Sequence, residues 1–556
     1  MSSILTSGTS NLSSQAMRRD LNRLANESFH LLVIGGGIVG AAIARDASLR
    51  GLSVALVERG DFANATSARN SRLIHGGLRY LRNFELSLVR ESLRERQIWL
   101  RIAPHLVRPL PFLFPLTRTR RGRRAVLGAG LSLYDFLSLA GNASVNSDQR
   151  LPAHTWLDAR AAGALEPCLR ALPLAGAFRY FDAQMDSPER LALECVLDTA
   201  ENGAVAANHV EADSLLLRSG RVEGARMRDK ETGSSFDVRA QVTVLALGAW
   251  SDVFLAQALD RPAHNMRLSK GIHVLVRPLT GTHALTIASS RSHFFVLPWR
   301  RGTLLGTTDT PFAGDPDSVA ATPADIEAFL GLVNAHLPGV QLRPADVRHS
   351  YAGLRALTRR GAQTTYDTSR RAERIDHARR DGVAGLLSVI GGKWTTSRHL
   401  AQQTVDAVLE RLDRRAGDCS TASRPLPGGA IDSLSSFLRE SQGLAGRFPN
   451  PEMLARLYGA RLSRLLALAA ARPELSETLS ADGTIAAQIV LAVREEMAVT
   501  LEDVVMRRTG IGQEGDPGAA VLEKAAAIMA REAQWNEARR HAETEAVAAV
   551  FRGSPA

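Results

Sequence analysis

The hydrophobic positions along this chain change period from one region to the next, and each change marks an element. Leu31 to Ile34 is continuously apolar and bounded by glycines, which predicts a strand buried on both faces. A helical pattern from about Ile38 to Arg50 follows, ended by Gly51, and then a second strand from Ser53 to Val57. Glu85 to Ile102 places Leu86, Val89, Leu93, Ile98 and Ile102 among charges, predicting an amphipathic helix that Pro104 stops. FRYFDAQMDSPERLALECVLDTAENGA reads as a strand, a turn at Asp186 to Pro188 and a helix ending near Asn202 and Gly203. Short β-like runs come next, with a hairpin turn at Ser219-Gly220, and lead to a buried strand from Val242 to Leu247. KGIHVLV and SHFFVLPWRRGTLLGTTDTPF, broken by Gly and Pro at short intervals, suit an antiparallel sheet. A helix near Pro323 to Leu337, a strand LLSVI and a helix from about Thr395 complete this part. Beyond RPLPGG at 424–429 the apolar positions recur with helical period to the end.

With 556 residues the chain exceeds one compact core, so two or three domains are expected. The expected division is a disordered tail over 1–28, Ser- and Asn-rich and without a signal-peptide core, then a nucleotide-binding domain over 29–424. A substrate domain at roughly 82–180 and 260–350 interleaves with it, and residues 425–556 form a C-terminal helical domain. The fold class is thus α/β, a Rossmann-like unit beside an antiparallel sheet, plus an all-helical domain. No run of 18 uncharged apolar residues exists, which excludes a spanning helix. Cys168, Cys195 and Cys419 have no metal or disulfide spacing, so no metal is expected and a cytoplasmic compartment fits. The net charge of +11 favours anionic partners without choosing among a phosphorylated substrate, an anionic membrane and nucleic acid.

Chemistry enters at the first turn. Gly35, Gly37 and Gly40 have the G-x-G-x-x-G spacing between strand and helix. Gly35 permits the tight turn, Gly37 lets backbone approach a pyrophosphate, Gly40 lets the helix pack on the strand, and the helix N-terminus faces the phosphate. Glu58, at the end of the second strand, is placed to accept a ribose hydroxyl. Strand, turn, helix, strand and acid together indicate dinucleotide binding. The small, basic loop ATSARNSRLIHGGLRYLR then suits packing on a flavin, with Thr66, Ser67, His75 and Gly76 as contact candidates.

The run GGGIVGAAIARDASLRGLSVALVERGDFANATS followed by RLIHGGLRYL resembles the FAD-dependent glycerol-3-phosphate dehydrogenases of the aerobic, quinone-linked type. The likeness extends over nearly the whole chain from about His30, including EEMAVTLEDVVMRRTGIG near the end. Later motifs keep the family order: K-G-x-H at Lys270, Gly271 and His273, G-T-T-D at Gly306 to Asp309, Y-x-G-x-R at Arg355, S/T-R at Arg370 and G-G-K at Lys393. The resemblance implies FAD as cofactor, glycerol 3-phosphate as substrate, quinone as electron acceptor and a peripheral position on the inner face of the cytoplasmic membrane; a homodimer is allowed. It also implies that Arg355 and Arg370 grip the phosphate, with Arg79 and Tyr80 on the opposite wall. Lys393 would serve that anion or the reduced ring, and Gly248 and Gly392 would approach the cofactor. Leu247 stands where the family has Thr. His273 is the expected base, since its ordinary pKa suits a hydroxyl proton at neutral pH. The segment Leu106 to Leu139, an apolar PLPFLFPL followed by arginines and another apolar run, is the expected interfacial membrane contact. Two other readings remain open: an amine or 2-hydroxy-acid oxidoreductase of the same flavin fold, and a basic flavoprotein that binds tRNA. The first does not predict the helical C-terminus, and the second lacks basic patches interleaved with aromatics; no nucleic-acid partner is expected.

Overall fold

The computed structural model describes residues 16–83, 85–118, 123–288, 293–358 and 372–552, with backbone alone at 79, 82 and 83. Two sheets organise the first three quarters of the chain. The nucleotide sheet is built on Ser28–Ile34, which pairs in parallel with Val54–Val57 on one side and Ser235–Leu245 on the other. Leu386–Ile390 extends it, again in parallel, beyond Ser235–Leu245. Its central strands are buried on both faces, as continuous apolar runs require: the helix Ile38–Leu49, packed against Pro188–Glu201 and Ser397–Leu412, covers one face, and Leu24, Leu215, Met227 and Leu255 cluster on the other. The hairpin Val210–Arg218 to Arg221–Asp229 turns at Ser219 and Gly220, whose φ values of 47° and 75° match a two-residue turn.

The second sheet lies beside the first. Its central strand, Met266–Val276, runs antiparallel to Val347–Thr358 on one side and to Gly302–Gly306 on the other. The sheet is mixed rather than purely antiparallel, because Ala284–Ala288 joins Val107–Thr117 in parallel. That second strand corrects an expectation. PLPFLFPL is not a surface segment: within Val107–Thr117 it pairs along its length with Leu174–Met185, and Leu110, Phe112, Leu113 and Leu116 are buried. The apolar surface sits on the next element, the helix Arg123–Ala143.

Residues 16–28 also depart from the expected tail. Leu21–Asn26 is a helix capped by the Asp20 carboxylate, Leu24 is buried, and Met17 bridges to Glu496 in the C-terminal part. The segment is too short for periodicity to reveal it.

From Leu434 to Arg552 the described chain is helical around its own apolar core. The periodic run TIAAQIVLAVREEMAVTLEDVVMRR is nevertheless broken. The helix Ala486–Glu495 stops before Met497, which has φ 57°, and Asp503–Arg508 forms a π-helical turn. The cause is electrostatic. Arg508 donates to both oxygens of Asp61, at 2.6 and 2.8 Å, and Arg507 donates to Asp61 and Asp503 at 2.7 Å. Asp61 belongs to the nucleotide domain, and these groups are nearly inaccessible to water. A wider turn aims two adjacent arginines at one buried carboxylate.

Candidate active site

A cavity of about 2120 Å³ runs between the two sheets. One end is the glycine turn. Gly35 has φ 111°, and a Cβ there would meet the Ala246 carbonyl at 2.6 Å; a Cβ on Gly40 would lie 1.8 Å from the Gly35 carbonyl oxygen. Only glycine permits this cradle, in which Gly35 and Gly37 line the cavity while Gly40 seats the helix on its strand. Glu58 accepts from the N–H groups of Gly36 (2.7 Å) and Gly60 (2.9 Å), and burial lifts its carboxyl above the usual range against their pull. The volume exceeds that of ordinary small-ligand pockets and suits an extended dinucleotide.

The middle of the cavity gathers the flavin-loop residues. Ser67 Oγ accepts from Ile38 N–H at 2.9 Å, Thr66 Oγ1 donates to the Leu354 carbonyl at 2.8 Å, and His75 N–H donates to Thr395 Oγ1 at 3.1 Å. All three line the cavity, as do Gly248, Leu247 and Gly392. Gly76 does not. Its N–H points to Asp182 at 3.2 Å, and a Cβ there would strike the Tyr134 hydroxyl at 2.4 Å, so this glycine serves packing, and Gly77 takes its place on the wall.

Strand register assembles the chemical end. Ser269 pairs with Arg355, and His273 lies between Tyr351 on one neighbouring strand and Gly306 on the other. Arg355 donates to Thr307 Oγ1 at 2.7 Å and the Thr308 carbonyl at 3.1 Å, and its charge lies 3.9 Å from Asp309. A Cβ on Gly271 would meet its guanidinium at 2.2 Å, and one on Gly306 would meet the His273 ring at 2.1 Å. The glycines of K-G-x-H and G-T-T-D are therefore clearances for those two side chains. Lys270 of the first motif points elsewhere, pairing with Asp325 at 2.6 Å.

His273 is 2% exposed, stacked on Tyr351 with ring centroids 5.1 Å apart. Its Nε2 lies 2.8 Å from Ser71 Oγ, and among the described residues its buried Nδ1 has no hydrogen-bond partner. The expectation of an ordinary pKa fails here: burial, with Arg355 and Arg72 adding positive charge, pushes it down to about 3. The ring is therefore neutral at physiological pH. Across the cavity, Lys393 follows Gly391 and Gly392, sits 3.9 Å over the Tyr80 ring and reaches Ser92 Oγ at 3.3 Å. Arg79 contributes only its backbone to the described structure, and Arg370 lies outside the described residues.

The cavity also has residues that no motif announced. Trp394 donates to the Ser67 carbonyl at 3.0 Å, and Phe295 and His293 face His75 in a row of aromatic contacts. Phe112, Phe114 and Leu116, with Val126, Leu127 and Leu133 of the helix Arg123–Ala143, add apolar side chains to the cavity wall. These positions fall in the segment Leu106 to Leu139 expected as a membrane contact, because lining an internal cavity and meeting a membrane require the same apolar side chains.

Comparison with known proteins agrees with this geometry. Residues 30–398 match the family described as FAD dependent oxidoreductase, and residues 419–540 match the C-terminal domain of alpha-glycerophosphate oxidase. Glycerol-3-phosphate dehydrogenase 2 of Mycobacterium tuberculosis is 39% identical over 500 residues, covering 88% of this chain and 82% of that protein. Glycerol-3-phosphate dehydrogenase of Synechocystis is 37% identical over 509 residues, covering 89% and 90% respectively. The crystal structure of glycerol-3-phosphate dehydrogenase from Bacillus halodurans complexed with FAD superposes with a TM-score of 0.78 at 28% identity, covering 98% of this chain and 99% of that one. A glycine cradle, an arginine–histidine pair on facing strands and relatives matching both domains converge on one assignment: the chain belongs to the FAD-dependent glycerol-3-phosphate dehydrogenases.

Proposed function

We propose that this protein oxidises sn-glycerol 3-phosphate to dihydroxyacetone phosphate and passes the electrons to a membrane quinone. The observation that carries the reading is Arg355 beside His273 on facing strands, in the same cavity as the glycine cradle. FAD, when bound, supplies the hydride acceptor. Gly35, Gly37, Ser67, Gly248 and Gly392 would hold it. A phosphate dianion needs planar, fixed donors, and Arg355 is held fixed by Thr307, with Asp309 at 3.9 Å. Lys393, Tyr80, Arg79 and Arg370 complete the anion site in this proposal. His273, its ring held by Ser71 through Nε2, is the proposed acceptor of the substrate hydroxyl proton. The arginines act as positioning and electrostatic groups, because no guanidinium gives up its proton at working pH.

The acceptor and the membrane form the second part of the proposal. On the helix Arg123–Ala143, Val126, Phe136 and Leu139 are 75%, 68% and 61% exposed, flanked by Arg123 and Arg124. Exposed apolar side chains beside cationic ones favour an anionic bilayer surface. Val126, Leu127 and Leu133 of this same helix line the cavity, which supports entry of a lipophilic acceptor from the membrane side. No described helix is long and apolar enough to cross a membrane.

The test is anaerobic stopped-flow absorbance near the main flavin band after mixing with sn-glycerol 3-phosphate, with glycerol and a 2-hydroxy acid as controls. Bleaching by the phosphate ester alone supports the reading. Bleaching only by an amino or hydroxy acid would leave the family intact and overturn the substrate.

A further inference from the structure

Outside the catalytic end, three side chains from three separate segments meet at the rim of the cavity. Arg59 directly follows Glu58 at the end of the nucleotide strand. Trp250 closes the Gly248–Trp250 turn, and Asp317 lies in the Pro316–Ser318 turn of the other half of the molecule. Arg59 makes a two-pronged ion pair with Asp317, stacks over the Trp250 ring at 4.6 Å, and Trp250 Nε1 donates to Asp317 at 2.9 Å. The triangle is closed, each member touching both others. All three line the cavity next to Glu58, yet Arg59 and Asp317 also face solvent, with side chains 38% and 56% exposed. The Asp317 turn is itself fixed, since the Asp315 carboxylate accepts from Asp317 N–H at 2.9 Å.

Function has not used this cluster. It touches neither Arg355 nor His273, and stability alone does not explain its place. An exposed ion pair contributes little to folding, and a cation–π contact at a wet site adds about as little. What the cluster does is join the two halves of the molecule across the mouth of the nucleotide end.

We propose that Arg59, Trp250 and Asp317 form a clasp over the adenosine end of FAD, and that its opening governs how fast the cofactor enters and leaves. The proposal rests on the FAD site and not on the substrate. A clasp is a barrier to movement in both directions, so its loss speeds release and capture alike. A binding contact or a structural prop behaves differently, since its loss speeds release while leaving capture unchanged or slower. Screening by salt weakens the exposed pair and mimics its removal.

The experiment follows FAD fluorescence, quenched on binding, for the full-length protein. Release is measured on dilution of holoenzyme and capture on mixing apoprotein with FAD, for the native protein, Asp317→Ala, Trp250→Phe and Asp317→Glu. Asp317→Ala is expected to raise both rates, release by about 10-fold, as loss of two or three such contacts implies. Native release should rise more steeply with salt than release from Asp317→Ala, and Asp317→Glu should recover most of the slow exchange. Unchanged rates in Asp317→Ala, or faster release with slower capture, overturns the clasp. Equal salt dependence of native protein and variant does so as well.

Discussion

Arg355 Nη2 donates to Thr307 Oγ1 at 2.7 Å, a bond that reaches across the strand Met266–Val276 to the loop after Gly302–Gly306 and holds a guanidinium at the cavity wall before any anion arrives. Arg355→Ala is expected to raise the KM for glycerol 3-phosphate about 100-fold, the loss of roughly two charge-assisted hydrogen bonds. FAD content should stay the same. Thr307→Val keeps the charge and loosens its hold, so a rise of about 5-fold is expected. Steady-state kinetics beside the flavin-to-protein absorbance ratio separates the two effects.

His273 makes a prediction about pH as well as rate. His273→Asn should lower kcat by about 10²- to 10⁴-fold with FAD retained. Because its pKa is pushed down to about 3, the ring stays neutral across the working range. Any inflection in the native kcat/KM profile near pH 6 to 7 should therefore persist at the same pH in the residual activity of the variant. Its disappearance would assign that titration to His273 and refute the buried, neutral ring.

Phe136→Asp and Val126→Asp should each weaken binding to anionic vesicles by about 10-fold or more, given the worth of burying one large apolar side chain. Flotation with and without anionic lipid measures it. Bleaching by substrate in solution should not change for Phe136→Asp, whose side chain is exposed and is not among the residues that line the cavity.

Acid should destabilise the fold through buried histidines. His349 is buried, and its pKa is pushed down to about 4 by burial and the nearby Arg72 and Arg69. Above about pH 6.5 both folded and unfolded forms are neutral there; between 6.5 and 4 only the unfolded form takes the proton, so stability falls as pH falls through that window. The full effect is about 3 kcal/mol. Urea midpoints for native protein and His349→Phe at pH 7.5 and 5 should show the smaller drop in the variant.

Asp61→Asn should cost about 3 to 5 kcal/mol, since Arg507 and Arg508 are left buried with less opposite charge. Unfolding followed by fluorescence checks the midpoint, and FAD titration of the apoprotein reads the neighbouring Glu58 turn.

Local chemistry was what the sequence made legible. The glycine turn, Glu58 and the hairpin at Ser219-Gly220 were readable because each depends on residues close in sequence. Arg355 and His273 were readable only through family motifs, because the register that joins them links strands about 80 residues apart. The environment of His273 was not readable at all: its depressed pKa comes from Arg355 and Arg72, brought near by the fold. The π-turn at Asp503–Arg508 was hidden for the same reason, its cause being Asp61 far upstream. PLPFLFPL misled because apolar residues suit a buried strand and a membrane surface equally well.

The parallel order of the nucleotide sheet has a consequence for synthesis. Ser28–Ile34 has Ser235–Leu245 as its neighbour, and that strand needs Leu386–Ile390 to cover its far edge. The glycine cradle, between Ser28–Ile34 and the helix after it, has no completed sheet beneath it until Leu386–Ile390, about 350 residues later in the chain, has been made. The counter-ions of Asp61 arrive later still. Non-local pairing of this kind folds slowly and leaves strand edges open meanwhile. The cradle's geometry is therefore a property of the completed sheet and not of the glycine turn alone.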